Sequence, residues 1–233
     1  MTEAAGLEAV QKALDYRFRD LELLRTALRH SSFAHERTDL ESNQRLEFLG
    51  DGVIGLAVSQ LLFEAHPDWQ EGDLTRTLHA LVDTRSLAQV ARDLQLGEAL
   101  QVGRTEVRSG GTAKRSILAD TLEAVVGAVF LDGGLEPVRG LARRMFAALL
   151  DPAAAPVSRH PKTHLQEWSM AEHGVFPDYE LVGDSGVEAD PERFRVRVLL
   201  AGRPLGEGVA GTKRGAERAA AERALVGLRS DGG

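Results

Sequence analysis

Two pairs of carboxylates stand at helical spacing inside apolar segments of this chain. Glu47 and Asp51 are four residues apart, and Asp120 and Glu123 are three residues apart. Residues three or four positions apart share one face of a helix, so each pair presents two carboxylates together. A buried carboxylate without a partner costs several kcal/mol, so four acids among core residues indicate a use for them. We infer a magnesium site made of oxygen ligands.

Such a site would suit the hydrolysis of a phosphodiester. Four carboxylates on two facing helices can hold one or two divalent cations. A metal pair about 4 Å apart lowers the pKa of an attacking water and stabilises the leaving oxygen. Spacing alone leaves an alternative open, in which Glu47 and Asp51 are solvent-side charges on an amphipathic helix. The apolar residues that flank each acid favour the metal site.

Length and charge limit the number of domains and the kinds of ligand that are possible. A chain of 233 residues is long enough for two domains. Residues 1–155 carry 17 basic and 23 acidic residues, and residues 156–233 carry 11 and 12, which together give the net charge of -7. This acidity does not exclude nucleic-acid binding, because binding depends on where the basic residues lie.

The sequence also indicates a compartment. The absence of cysteine excludes disulfides and thiolate metal sites. The acidic N-terminus lacks the basic region of a signal peptide. The longest apolar run, residues 53–63, is too short and too polar to span a bilayer. We therefore expect a cytoplasmic protein that does not associate with membranes.

Hydrophobic periodicity predicts an all-α N-terminal part. Asp20 is expected to cap a helix, and polar loops are expected after Ser31 and over residues 103–112. Gly50 and Gly52 lie inside the longest predicted helix, which suggests close packing against another backbone. The predicted helices cover residues 7–14, 21–28, 43–65, 71–82, 84–94, 117–131 and 135–150.

The pattern changes after residues 151–161, which contain three prolines and are predicted to be a linker. A helix over 163–173, strands over 179–183, 194–200 and 203–209, and a closing helix over 216–228 follow. This α-β-β-β-α order predicts a small α+β domain. We expect domain bounds of 1–150 for the first domain and 162–230 for the second.

The acidic segments resemble the motifs of ribonuclease III. The run RLEFLGD at residues 45–51 is similar to that family's signature, and SILADTLE at 116–123 with FLD at 130–132 is similar to its second acidic block. EGD at 71–73 lies between them, where the family has an acidic turn. The resemblance implies a homodimer that cleaves double-stranded RNA with magnesium and leaves 5′-phosphates and short 3′ overhangs.

The same resemblance assigns roles to residues. It implies that Glu47, Asp51, Asp120 and Glu123 bind metal, with Asp51 and Glu123 catalytic, and that Glu71 is an accessory acid. Whether manganese substitutes for magnesium is left open.

Two residues that are not acids, one directly before the first motif and one inside it, also correspond to positions with a role in the family. Gln44 stands where bacterial members usually carry Glu, so an accessory role of that position is in question while activity is expected to survive. Phe48 corresponds to an aromatic that plugs a pocket of the partner subunit. The alternative for Phe48 is an ordinary core residue.

The C-terminal segment resembles the double-stranded-RNA-binding domain, whose members recognise the shape of the A-form duplex. The resemblance points to Thr163, Gln166 and Glu167 on one helical face. A second cluster, Lys213, Arg214 and Arg218, stands at a helix start, where the helix dipole favours phosphate. The alternative for the second cluster is a solvated helix start. Residues 186–192 form an acidic loop that lacks the family's usual His, so we expect weak RNA binding from this loop.

The run GEGVAG at residues 206–211 matches a dinucleotide-binding pattern, but no strand and no acid follow it at the required distance. We therefore predict no nucleotide cofactor. The preferred interpretation is a magnesium-dependent endoribonuclease that processes ribosomal and other RNA precursors. The alternatives are a non-catalytic double-stranded-RNA-binding or ribosome-associated protein, and a glycosidase that uses an acid pair.

Overall fold

The structure is a computed structural model that describes residues 2–37, 39–157 and 160–230. The chain divides into two compact units, Met1–Val157 and Ser158–Gly233. The predicted fold class is confirmed, with a helical first unit and an α-β-β-β-α second unit.

Positions 158 and 159 of the predicted linker lie outside the described residues. The residues just before them, 151–157, group with the first unit, where the Val157 amide donates to Thr77 Oγ1 at 3.1 Å. The domain bounds inferred from the sequence therefore stay a prediction.

The first unit consists of helices over the part of the chain that the structure describes. Two short 3-10 turns, Gly111–Ala113 and Ala147–Leu149, accompany them. The helices are α1 (Glu3–Leu14), α2 (Leu21–Ala27), α3 (Ser31–His35), α4 (Gln44–Ala65), α5 (Glu71–Leu81), α6 (Thr84–Asp93), α7 (Leu96–Ala99), α8 (Arg104–Arg108), α9 (Arg115–Gly133) and α10 (Leu135–Met145).

Two predicted loops contain short helices, and in this respect the sequence prediction is wrong. The start of α3 is capped by His30, whose Nδ1 accepts the Ser32 amide at 3.2 Å. The start of α8 is capped from about 70 residues away, because Glu36 accepts the Arg104 amide at 2.7 Å. A helix of five residues is too short to show a periodic pattern in the local sequence, and the cap of α8 lies far away along the chain.

Helices α4 and α9 cross in backbone contact at the centre of the first unit. A Cβ atom added at Gly50 of α4 would lie 1.8 Å from the carbonyl oxygen of Glu123 in α9. One added at Gly127 of α9 would lie 2.3 Å from the carbonyl oxygen of Leu46. The predicted close packing is confirmed at Gly50 but is wrong within this chain at Gly52, where an added Cβ would meet nothing within 4 Å. Only glycine fits at Gly50 and Gly127.

Helix α4 is also the one helix in the described ranges that is long and apolar enough to cross a membrane by length and composition alone. The sequence prediction considered only residues 53–63, whereas the helix extends over Gln44–Ala65. Its residues Ile54, Ala57 and Val58 are fully buried in the core of the unit. A central core helix meets the same criterion, so this finding carries no membrane assignment.

The second unit packs two helices on one three-stranded antiparallel sheet in the order β1-β2-β3. Its elements are α11 (Pro161–His173), β1 (Asp178–Asp184), β2 (Phe194–Leu200), β3 (Arg203–Ala210) and α12 (Lys213–Ser230). Alternation along β2 turns Val196 and Val198 into the core, as predicted. Added Cβ atoms at Gly206 and Gly208 of β3 would lie 2.8 and 2.2 Å from α12 carbonyl oxygens. The glycine run thus lets α12 approach the edge strand β3.

The α4–α9 crossing can be tested with one methyl group. Gly50→Ala should destabilise the first unit by about 3 kcal/mol, because the new methyl group overlaps backbone that side-chain movement cannot relieve. The measurement is a urea titration followed by far-UV circular dichroism.

The matched control is Gly140→Ala in α10, where an added Cβ meets only the end of the Arg144 side chain at 3.8 Å. This variant should be as stable as the parent, or more stable by up to about 1 kcal/mol. Equal stability of the two variants would contradict the backbone contact.

Candidate metal centre and RNA-contacting residues

Three of the four predicted acids converge where α4 crosses α9. One carboxylate oxygen from each of Glu47, Asp120 and Glu123 lies within 4.8 Å of the other two. We call these three residues the acid cluster. All three are partly buried, so their charges are only partly screened by water. The glycine contact one turn from Glu47 holds the two helices close enough for these side chains to meet.

Burial raises the pKa of all three carboxyl groups of the acid cluster, and neighbouring carboxylates add to the rise for Glu123 and Glu47. The pKa of Glu123 is raised to about 7, first by burial and then by the charges of Asp51, Asp120 and Glu47. Burial also raises the pKa of Glu47, with Asp120 and Asp51 adding to the effect. The pKa of Asp120 is raised by burial, although the nearby His30 opposes the rise. A divalent cation would relieve this repulsion, and carboxylate oxygens are ligands that magnesium prefers.

Asp51 is placed beside the acid cluster and not in it. It is exposed, one helical turn after Glu47, and its charge acts on both Glu47 and Glu123. Its position therefore suits a ligand that reaches a bound ion or the substrate from the solvent side.

The two predicted accessory residues do not join the acid cluster. Glu71 is exposed at the first position of α5, where it accepts a hydrogen bond from Thr75 at 2.9 Å. Gln44 is exposed at the first position of α4, where its Oε1 accepts from Ser42 at 3.3 Å. Their accessory roles stay predictions.

Two residues near the site have roles that sequence reasoning missed. His30 acts electrostatically on Asp120, yet its spacing in the sequence gave no sign of this. Asp132, predicted as part of the second acidic block, is a structural residue instead. Its carboxylate accepts the Tyr16 hydroxyl at 2.6 Å and the amides of Asp20 and Arg19 at 2.8 and 3.1 Å. It thereby anchors the α1–α2 connection to the end of α9.

Phe48 points away from the core. Its side chain is 85% exposed, so the alternative of an ordinary core residue is wrong. Beside it lies a cavity of about 730 Å³ whose apolar lining includes Leu23, Leu49 and Leu131.

In the second unit, the predicted RNA-contacting residues are exposed on two helices that pack together. Thr163, Gln166 and Glu167 follow i, i+3, i+4 spacing on α11 and share a face. Lys213 and Arg214 begin α12, and Arg218 follows one turn later, 3.8 Å from Glu222. Both sets of side chains are therefore accessible from solvent, and their RNA contacts stay predictions.

A partly buried ion pair joins α11 to α12. Lys162 at the start of α11 lies 2.6 Å from Glu217 of α12. Its Nζ also lies 4.4 Å from the centre of the Tyr179 ring. Burial, and then the charge of Glu217, raises the pKa of Tyr179 to about 12. Lys162 thus fixes the start of α11 against α12 and β1, and is unavailable as a free phosphate ligand.

Comparisons with known proteins agree with this arrangement. Residues 20–149 match the family model described as ribonuclease-III-like, and residues 161–228 match the double-stranded RNA binding motif. The protein named ribonuclease 3 from Syntrophobacter fumaroxidans is 41% identical over 99% of this chain and 98% of its own length. That from Rhodobacter capsulatus is 44% identical over 98% of each.

The chain belongs to the ribonuclease III family. The nuclease domain of ribonuclease III from Campylobacter jejuni superimposes with a TM-score of 0.56 at 40% identity, covering 60% of this chain and 94% of that one. One of its structures describes flexibility in a region involved in dimer formation.

This member of the family is an endoribonuclease with a double-stranded-RNA-binding unit, and the family depends on metal ions. The glycosidase and non-catalytic alternatives are therefore not supported.

The raised pKa of Glu123 makes the stability of the metal-free protein depend on pH. In the unfolded chain Glu123 ionises near 4.5, whereas in the folded protein it stays protonated up to about 7. The folded state thus binds the extra proton, and this group lowers stability as pH rises from 4.5 to 7. In EDTA, Glu123→Gln should raise the thermal midpoint at pH 8 and change it little at pH 4.5.

The exposed acid Glu98, which lies outside the acid cluster, provides the matched control. Glu98→Gln should have the same effect on the midpoint at both pH values. An effect of Glu123→Gln that does not depend on pH would contradict the raised pKa of Glu123.

Proposed function

We propose that this chain is a homodimeric, magnesium-dependent endonuclease that cuts double-stranded RNA into 5′-phosphate products with short 3′ overhangs. It would act in the cytoplasm on precursors of ribosomal and other RNAs. The single observation that carries the proposal is the acid cluster, in which three half-buried carboxylates from two helices come within 4.8 Å of one another.

The donor set fits a hard divalent cation. The three clustered side chains offer only oxygen atoms, and no described Lys or Arg forms an ion pair with them. Glu47, Asp120 and Glu123 would hold magnesium, with Asp51 as the fourth acid. Manganese, which shares this preference for oxygen ligands, is expected to substitute.

The chemistry follows from this placement. When bound, the ion lowers the pKa of an attacking water and stabilises the leaving oxygen. Asp51 and Glu123 would lie beside the phosphodiester that is cleaved and would orient the water for attack on phosphorus. The bond from phosphorus to the 3′ oxygen breaks, the 3′ oxygen takes up a proton, and the phosphate stays on the 5′ end. Glu71 and Gln44 would line the RNA path outside this centre.

The second unit supplies affinity for the duplex. Thr163, Gln166 and Glu167 would contact the minor groove through 2′-hydroxyls, and Lys213, Arg214 and Arg218 would contact phosphates. A tethered binding unit raises the local concentration of substrate at the nuclease unit. The acidic loop over residues 186–192 would add little, because its charge repels phosphate.

An exposed face of α4 supports the homodimer. Phe48, Leu56 and Phe63 are exposed by 85, 56 and 71% along this helix, although large apolar side chains are normally buried. Gly52 lies between the first two, and an added Cβ there would meet nothing within 4 Å in the same chain. In a two-fold dimer, Phe48 of each protomer would fill the cavity beside Phe48 of the other.

Removal of one acid tests the catalytic assignment. Loss of an outer-shell partner alone costs about 10- to 100-fold in metal affinity or activity, so Glu123→Gln should lower kcat by more than about 100-fold. The assay follows cleavage of a perfect RNA duplex in magnesium and in EDTA. The Glu98→Gln control should cleave normally, and duplex binding should be retained in Glu123→Gln. Full activity of Glu123→Gln would refute the assignment.

Replacement of the exposed aromatic tests the dimer. Phe48→Ser should shift the protein towards monomers in sedimentation equilibrium, because it removes the apolar side chain that is proposed to enter the other protomer. Its helical circular dichroism should be unchanged, since the side chain supports nothing within its own chain. Val187→Ser, which removes an exposed apolar side chain of the second unit, is the control. Equal dimer dissociation constants for Phe48→Ser and the parent would exclude this interface.

A further inference from the structure

A cleft of about 550 Å³ on the nuclease unit gathers three arginines outside the acid cluster. Arg85 and Arg92 come from α6, and Arg115 is the first residue of α9. We call this feature the arginine cleft. Its remaining lining is mostly polar, with Ser86 and Gln89 among its residues.

Helix packing explains how the arginines meet. The buried side chains Leu87, Ala88 and Ala91 attach one face of α6 to the core. Arg85 and Arg92 are seven residues apart, so they lie on one side of α6, and both are exposed. Because α6 packs against α9, Arg115 is brought to the same cleft.

The arginine cleft carries a surplus of positive charge, with three arginines and one acid, Asp83, in its lining. Within residues 2–37, 39–157 and 160–230, no carboxylate forms an ion pair with any of the three arginines. The one acid in the lining, Asp83, is engaged at the start of α6, where its Oδ1 accepts the Ser86 amide at 2.7 Å. Three clustered guanidinium groups in a chain of net charge -7 therefore favour an anionic ligand.

We propose that the arginine cleft binds backbone phosphates of the double-stranded RNA substrate beside the cleaved bond. This inference rests on the proposed function. Arg115 precedes Asp120 and Glu123 by five and eight residues on the same helix, which places it about 8 and 12 Å away along the axis. A duplex carries one phosphate charge per about 1.7 Å of axis, so several phosphates fall within that span.

The chemistry of arginine suits this role. Its planar guanidinium group stays charged and can offer two parallel N–H donors to one phosphate. A phosphate contact positions the duplex and carries no sequence information. The arginine cleft would therefore add affinity and fix the duplex relative to the acid cluster, without reading bases.

The test measures how salt weakens duplex binding by the full-length chain. In a Glu123→Gln background, Arg85→Gln, Arg92→Gln and Arg115→Gln are combined, and binding of a perfect RNA duplex of about 30 base pairs is titrated against salt. Each lost phosphate contact should reduce the slope of log K against log salt by about 1, so a reduction of about two to three is expected. With Glu123 intact, the triple variant should raise KM and leave kcat close to the parent value.

Arg143→Gln is the matched control, since Arg143 is an exposed arginine on α10 outside the cleft. Arg143→Gln should change the slope of log K against log salt no more than the removal of any one exposed positive charge outside the binding site. If the triple variant does not fold, the single variant Arg85→Gln is used, with an expected slope change of about 1.

Three outcomes would overturn the proposal. One is an unchanged slope and KM, and another is a change no larger than that of Arg143→Gln. The third is saturable binding of inorganic pyrophosphate that the triple variant loses while its RNA slope stays the same, because the cleft would then serve a free anion. Each of these can occur while the parent still cleaves duplex RNA in magnesium, so failure here is distinct from failure of the proposed function.

Discussion

The backbone contact between α4 and α9 is the constraint on which the nuclease unit depends. Gly50 and Gly127 each face a carbonyl oxygen of the opposite helix, at distances that leave no room for a methyl group. Glu47 lies about one helical turn before Gly50 in α4, and Glu123 lies about one turn before Gly127 in α9. The feature that brings the helices together therefore also sets the separation of the carboxylates.

This arrangement has an electrostatic cost that explains the chemistry. Carboxylates held a few ångströms apart and partly removed from water repel one another, and burial together with this repulsion raises the pKa of Glu123. The core packing of α4 and α9 keeps the side chains in place despite it. A site that is unfavourable without a cation binds one more strongly, since the ion relieves repulsion that the fold has already imposed. Metal affinity and helix packing are thus coupled in one structure.

Local patterns in the sequence were sufficient for the long elements and insufficient for features made by distant contacts. The long helix α4, the strand β2 and the boundary at Asp20 follow from periodicity and capping, and all were predicted. Helix α8 was not, because its first amide is capped by Glu36, far away in sequence.

In the candidate site, too, local spacing was predicted from the sequence and distant contacts were not. The sequence paired the acids by spacing, but it could not show that Asp51 stands outside the cluster that Glu47 forms with α9. Nor could it separate Asp132, which anchors the chain near Tyr16, from the acids that form the acid cluster. The arginine cleft escaped detection because its members are up to 30 residues apart and meet only through packing of α6 on α9. Close approach in space, unlike spacing along one helix, has no signature in a single sequence.

The most direct measurement of the central claim is an anomalous difference map from crystals of this protein grown with manganese. The account predicts a peak at the α4–α9 crossing, at direct coordination distance from a carboxylate oxygen of each of Glu47, Asp120 and Glu123. A map in which manganese binds elsewhere, or in which these carboxylates turn apart and share no ion, would contradict it.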